Sequence, residues 1–255
     1  MQIKIFALEK QRIIFEDLGI INYKTAWDYQ EELVHRNLEI KSETRKAMSN
    51  EQPSTLQQPS TIDRQFRTVN HLLFCEHPPV YTLGKSGHME NVLLSENEME
   101  EKEIEFFKTN RGGDITFHGL QQIVGYPILD LENFFTDIGK YMRSLEEVII
   151  LTIAEYGIKG ERSKGETGVW IEPGIVGKER KICAMGIRCS RWITMHGFAL
   201  NVNTDLSYFN NIIPCGIVNK QVASIEKELG YKVDFEEAKE KVKRNFEKVF
   251  DSIIT

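Results

Sequence analysis

The stretch ERKICAMGIRCSRWITMHGFALNVN, residues 179–203, decides the fold, because it reads as strand-like runs in close succession with no helical period and no proline. A period of two over 180–186 puts Ile182, Ala184 and Gly186 on one face and Lys181, Cys183 and Met185 on the other. A lysine on a mainly apolar sheet face needs a counter-charge. The plainer alternative is that Lys181 closes a basic surface run, KERK at 178–181, and keeps its head in water. Both readings stay open on the residues alone.

Outward from this stretch, strands and helices are interspersed. The start, MQIKIFALEKQRIIFEDLG, alternates like two strands, and NYKTAWDYQEELVHRNL reads as an amphipathic helix with Asn22 as N-cap. Residues 41–68 are polar, hold Pro53 and Pro59, and read as a mobile loop. Two β-rich runs follow in VNHLLFCEHPPVYTLG, broken by Pro78 and Pro79, and a further strand in QQIVGYPILDL. Ile138, Tyr141, Met142, Leu145, Val148, Ile149, Thr152, Ile153 and Tyr156 form a helical core stripe that starts beside Asp137. A second amphipathic pattern closes the chain in DFEEAKEKVKRNFEKVFDSII. There is no regular βαβ alternation, so the expectation is an α/β (α+β) fold: one domain over residues 1–255, a mixed sheet flanked by helices.

With 255 residues the chain can bury one large core. No apolar run approaches the ~20 residues of a membrane span, and the N-terminus lacks a signal-peptide core, so a cytoplasmic protein is expected. The net charge of −6 argues against general nucleic-acid binding. The four cysteines show no CxxC spacing and the six histidines no HExxH, so neither a zinc site nor another metal site is expected. Cys75 and Cys183 sit among apolar neighbours and read as core. Cys215 differs, because in NIIPCGI it lies between Pro214 and Gly216, in a turn that exposes the thiol.

An ordinary thiol is mostly protonated at neutral pH, so a nucleophilic Cys215 needs a base or cation. His196 and Lys181 are the candidates. An ammonium ~4 Å from a thiolate at an effective dielectric of about 20 gains about 4 kcal/mol before desolvation. RGGDITFHG, residues 111–119, is the other special stretch: two glycines after Arg111 let backbone approach a ligand, or merely form a turn or bulge. It lacks the GxxxxGK[ST] of a P-loop.

Taken in order, HPPVYTLGKSG, RGGDITFHG with QIVGYPILDL, GVWI, RKICAMGIR, HGFALNVNTDLSYFNNIIPCGI and VASI resemble the octanoyltransferase family of protein lipoylation, over roughly residues 69–230. The resemblance implies the catalytic fold of lipoate ligases and biotin protein ligases. It implies octanoyl transfer from acyl carrier protein to a lipoyl-domain lysine, on 2-oxoacid dehydrogenases or the glycine cleavage H protein, with no cofactor. By motif, Cys215 matches the acyl-accepting cysteine and Lys181 the lysine that lowers its pKa. Substrate-lining stretches match Arg111, Gly112, Gly113, Asp114, Ile115, Thr116, Phe117 and His118, then Ala184, Met185 and Gly186, then Gly197, Phe198 and Ala199. Where the family reads HGPGQ this chain has His118, Gly119, Leu120, Gln121 and Gln122, which is expected to alter the loop and the acyl site it borders. An ATP-dependent lipoate ligase and a non-catalytic protein that binds carriers or lipoyl domains are the alternatives. Docking of acidic partners is expected at Lys178, Arg180, Arg188 and Arg191.

Overall fold

The computed structural model describes residues 10–50, 67–213 and 221–255. In chain order the elements are β1 (Gln11–Ile20), α1 (Tyr23–Asn50), β2 (Asn70–Glu76), β3 (Val80–Leu83), α2 (Glu96–Glu101), β4 (Glu105–Lys108), β5 (Ile115–His118) and β6 (Gln122–Ile128). Then come α3 (Ile138–Ala154), β7 (Glu161–Arg162), β8 (Val169–Ile171), β9 (Arg180–Ser190), β10 (Ile193–Asn201), β11 (Gln221–Val222), α4 (Ile225–Leu229), α5 (Phe235–Val249) and β12 (Ser252–Ile254). Among the described residues, nine strands form a mixed sheet in the order β12-β1-β2-β6-β10-β9-β8-β7, with β11 beside β9, and β4-β3-β5 form a small second sheet. The expected mixed sheet flanked by helices is what the chain forms. The first of the two N-terminal runs, residues 51–66 of the expected loop, and Pro214, Cys215 and Gly216 lie outside the described residues.

Helices α3 and α5 cover one face of the large sheet. Tyr141, Leu145 and Ile149 of α3 and Val242 and Phe246 of α5 pack with Ile182, Phe198 and Leu200. Asp137 caps α3 as its sequence position predicts, accepting from Lys140 N at 2.9 Å. On the other face Ala26, Leu33 and Val34 of α1 pack on Leu73, Val124, Tyr126 and Met195.

The sequence reading misses two element boundaries. Residues 41–50, expected as loop, continue α1. Lys41 reaches Asp130 at 2.7 Å, Glu132 at 3.0 Å and the Arg191 carbonyl at 2.9 Å, partners remote in sequence that reward another turn of helix. The last apolar residues, read as helix, leave α5 at Asp251 (φ 45°) and form β12, parallel to β1.

Strand β9 also departs from strict alternation. Val169 pairs with Cys183 but its neighbour Trp170 pairs with Lys181, so Ile182 is a bulge residue. Ile182 and Cys183 therefore both enter the core under α3, and Lys181 changes face to join Ala184 and Gly186 on a cavity wall. The predicted face shared by Lys181 and Cys183 is corrected by that one extra residue.

The small sheet is stitched to the large one where glycine permits contact. Gly112 N donates to Ile187 O at 2.8 Å, and a Cβ on Gly186 would lie 2.5 Å from Gly112 O. Within the large sheet a Cβ on Gly197 would lie 2.1 Å from Gly125 O. Three buried histidines lie on the small-sheet side. Burial pulls His77 down to about 4 and His196 to about 3, the latter helped by Arg111 and Arg188, and holds His118 well below the ordinary range.

Gly197→Ala should cost about 1–3 kcal/mol through overpacking against backbone that cannot swing aside, read as a lower urea midpoint; an unchanged midpoint would contradict the close contact. The histidines predict acid lability. Their pKa values are lower in the native chain than the ordinary 6.5, so below pH ~6.5 the unfolded chain binds protons that the native chain refuses. Stability should be full above pH ~6.5 and fall toward pH 4, by on the order of a few kcal/mol per histidine. A urea midpoint constant between pH 7.5 and 5 would show that these rings are not held neutral.

Candidate active site

A cavity of about 960 Å³, part of it open to solvent, lies between the small sheet and β6, β10 and β9. Most of the residues singled out by the sequence meet there. Arg111, Gly113, Asp114, Ile115, Thr116 and His118 line it from the loop before β5 and from β5 itself, and Lys181, Ala184, Met185 and Gly186 from β9. Gly197, Phe198 and Ala199 line it from β10. Gly112 and Phe117 do not. Gly112 supports the seam with β9, and Phe117 turns into the small-sheet core, stacked on Tyr208 at 4.6 Å.

Arg111 crosses the cavity wall with Nη2 donating to Thr82 O at 2.6 Å and Thr82 Oγ1 at 2.9 Å. The carboxylate of Asp114 holds the loop in shape, accepting from Ile115 N at 2.7 Å and from Asn91 Nδ2 at 3.0 Å. Asn91 O in turn accepts from Ile213 N at 2.9 Å, directly before the segment that carries Cys215. On the far side of that segment, Gln221 N donates to Glu179 O at 3.1 Å, Val222 pairs with Lys181, and Ala223 N donates to Lys181 O at 2.9 Å. β11 thus takes the place beside β9 that β10 vacates beyond Leu200, whose partner is Cys183.

The Lys181 ammonium lies 4.5 Å from the centre of the Trp170 ring, a cation–π contact that orients it without neutralising it. Behind Trp170, Gly168 N donates to Glu146 Oε1 at 3.1 Å. Glu146 is fully buried in α3 with Arg143 at 2.5 Å and Arg162 at 3.1 Å, and burial raises its pKa despite both arginines. The helical stripe gave no hint of it, because its partners come from other elements.

One wall is a chain of buried hydrogen bonds that the sequence reading missed. His118 Nε2 meets Thr82 Oγ1 at 3.3 Å and Nδ1 meets Gln122 Oε1 at 3.0 Å; Gln122 Nε2 donates to Asn201 Oδ1 at 2.8 Å, and Asn201 Nδ2 to Ala223 O at 2.9 Å. Tyr23, Tyr126, Thr167 and Trp170 also line the cavity unannounced. Only tertiary contact unites them; β10 is buried along its whole length, so no alternation in FALN could have singled out Asn201.

His196, weighed as a base beside Lys181, lies six positions along the sheet from it, opposite Ile187. In the altered loop Gln121 takes a left-handed backbone, φ 59°, held by Glu76 Oε2 on its N–H at 2.5 Å and by Asn203 Nδ2 on its Oε1 at 2.8 Å. Leu120 is exposed, and neither residue lines the cavity, so the expected disturbance of an acyl site is not seen. Of the basic residues expected to dock partners, Arg180 is held by Glu228 at 2.6 Å and Glu172 at 2.5 Å, and Arg188 by Glu31 at 2.6 Å. Their charge is largely spent within the chain.

The family signature of the lipoyl protein ligase A/B catalytic domain matches residues 22–247. An octanoyltransferase of Flavobacterium psychrophilum is 57% identical, the match covering 95% of this chain and 98% of that protein. One of Christiangramia forsetii is 55% identical over 92% of this chain and 94% of its own. Among solved structures, the bi-partite lipoate protein ligase of Thermoplasma acidophilum superposes with TM-score 0.63 at 15% identity, over 97% of this chain and 86% of that one. Lipoate-protein ligase A bound with ATP gives 0.60 at 13%, over 97% and 90%. The mixed sheet and its cavity have the ligase fold, and with more than half of its residues shared with octanoyltransferases over nearly their whole length, the chain belongs to the octanoyltransferases of the lipoyl protein ligase A/B catalytic-domain family.

Proposed function

We propose that this protein takes an octanoyl group from the thioester of an acyl carrier protein and delivers it to a lysine amine of a lipoyl domain, through a thioester on Cys215. The observation that carries this reading is that Lys181 lines the same cavity as the glycine-rich Arg111 loop, next to the strand that follows the Cys215 segment. Family membership supports the octanoyl group, and the resemblance of IIPCGI supports the cysteine.

In the first half-reaction the Cys215 thiolate attacks the carrier's thioester carbon, the carbon–sulfur bond to the carrier breaks, and the carrier leaves as a thiol after taking a proton. In the second, the lysine amine attacks the enzyme thioester, an amide forms, and the amine's proton returns to the Cys215 sulfur. Thioester exchange is nearly isoenergetic and the amide is the more stable product, so no ATP is consumed. Lys181 stabilises the thiolate as its counter-charge and relays both protons. A thiol nucleophile needs a reducing compartment, which fits a cytoplasmic setting and the free thiols of Cys75, Cys183 and Cys189. No helix among the described residues is long and apolar enough to cross a membrane.

Mixing the protein with octanoyl carrier should add one octanoyl mass, lost in Cys215→Ala together with all transfer. Wild-type turnover by that variant, or transfer that runs only with free acid and ATP, would overturn the reading. Lys181→Met keeps the stem against Trp170 but removes the ammonium. The alkylation profile of Cys215 should move to higher pH, and an unmoved profile would remove Lys181 from activation.

A further inference from the structure

Lys181 serves the proposed chemistry only if its ammonium is aimed, and a flexible four-carbon stem does not aim itself. Its neighbours at the start of β8 do. Trp170 meets the ammonium at 4.5 Å from its ring centre, and the bare Cα of Gly168 faces the stem, where a Cβ would lie 3.7 Å from Lys181 Cδ. Gly168 has φ 101°, and the same Cβ would lie 2.4 Å from Cys183 O, so the chain passes this close to β9 only as glycine.

Gly168 is also where the chain leaves the turn 163–167, and one carboxylate closes that turn at both ends. Arg162, the last residue of β7, donates from Nε to Glu146 Oε2 at 3.1 Å, and Gly168 donates its N–H to Glu146 Oε1, also at 3.1 Å. Among the described residues the β7–β8 ladder has two pairs, Glu161 with Trp170 and Arg162 with Val169, too few to fix the turn alone. Arg143 Nη1 gives Oε2 a second bond at 2.5 Å, and Arg162 Nη2 donates to the Arg143 carbonyl at 3.0 Å and to Glu147 Oε2 at 2.6 Å. A fully buried carboxylate is a costly way to fill space, since breaking even a paired charge out of water is opposed by desolvation. What it supplies here is two acceptors that reach two segments at once.

We infer that Glu146, together with Arg162, is a positioning residue for Lys181: by clamping the turn 163–167 it seats Gly168 against the lysine stem and Trp170 against the ammonium. Thr167 ties the same turn to β9, its Oγ1 donating to Met185 O at 3.4 Å, and lines the cavity. Small displacements matter. An ammonium moved from ~4 to ~6 Å from a thiolate, at an effective dielectric of about 20, loses about a third of the attraction, enough for roughly tenfold in thiolate fraction. The sign of the effect separates position from charge. Neutralising Glu146 leaves Arg143 and Arg162 uncompensated, and by field alone that favours a thiolate and lowers the pH at which Cys215 reacts. A displaced Lys181 raises it.

This inference rests on Lys181 as the counter-charge of Cys215, so Lys181→Met belongs to the same experiment. Iodoacetamide alkylation of Cys215, followed by peptide mass, is measured against pH in the full chain, Glu146→Gln, Lys181→Met and the double variant, with thermal melts to check that each folds. Glutamine keeps the shape but has one oxygen, so it accepts at one end of the turn only. Glu146→Gln should move the profile up by about one pH unit, roughly tenfold slower alkylation at neutral pH. In the Lys181→Met background the same change should add nothing, because the group it positions is gone. A profile that stays put or moves down in Glu146→Gln overturns the inference. So does an equal upward shift with and without the ammonium, because Glu146 would then reach Cys215 by another route. Should Glu146→Gln fail to fold, Arg162→Met, whose side chain is 36% exposed, releases the other end of the turn and decides by the same comparison. A Lys181→Met profile that does not move sinks the activation reading and this inference with it, whereas one that moves while Glu146→Gln does not sinks the inference alone.

Discussion

Backbone contact between the two sheets at Gly112 and Gly186 is the constraint on which the rest of the site depends. With no side chain on Gly186, the Gly112 carbonyl sits within 2.5 Å of where a Cβ would be, and the adjacent N–H bonds to Ile187. That seam sets the separation of the small sheet from β9, and so the width of the cavity between them. Arg111 is drawn over the same seam, its guanidinium anchored on Thr82 in the small sheet. A side chain at Gly186 would push the walls apart and move the charged group with them.

The cavity is more polar than an acyl chain by itself requires. His118, Gln122 and Asn201 are almost fully buried, and their cost is offset because each donor meets an acceptor in one continuous chain from Thr82 to the Ala223 carbonyl. That chain ends on the strand whose next bond goes to Lys181. The histidines stay neutral because burial disfavours their charge and Arg111 reinforces the effect at His118 and His196. Polarity there serves position: it fixes β11 against β9 and leaves the apolar surface of Met185, Phe198 and Ala199 to a ligand.

Lys181 is where local and global structure disagree most usefully. On period alone it shares a face with Cys183. The bulge at Ile182 sends Cys183 into the core and turns Lys181 to the cavity, where Trp170 receives it. The turn at Gly168 that accompanies this bulge is held by Glu146 from α3, so a buried carboxylate in the helical layer helps to aim an ammonium on the other side of the sheet.

The sequence by itself determined what depends on neighbours along the chain. The α3 stripe with its Asp137 cap, the strand runs on either side of Pro78 and Pro79, and the motif order that marks the family are all encoded within a few residues of one another. It also marked the stretches from 111, 184 and 197 that come to line one cavity. Tertiary structure alone decided the rest. Helix α1 runs on to Asn50 because Lys41 finds Asp130, which no window on the helix could reveal. The role of Asn201 exists only once Gln122 and Ala223 lie beside it. The face of Lys181 turns on a single bulge residue. Period and propensity are sums over adjacent residues, whereas register, bulges and buried hydrogen bonds are fixed by pairings across long chain separations, which only the folded packing selects.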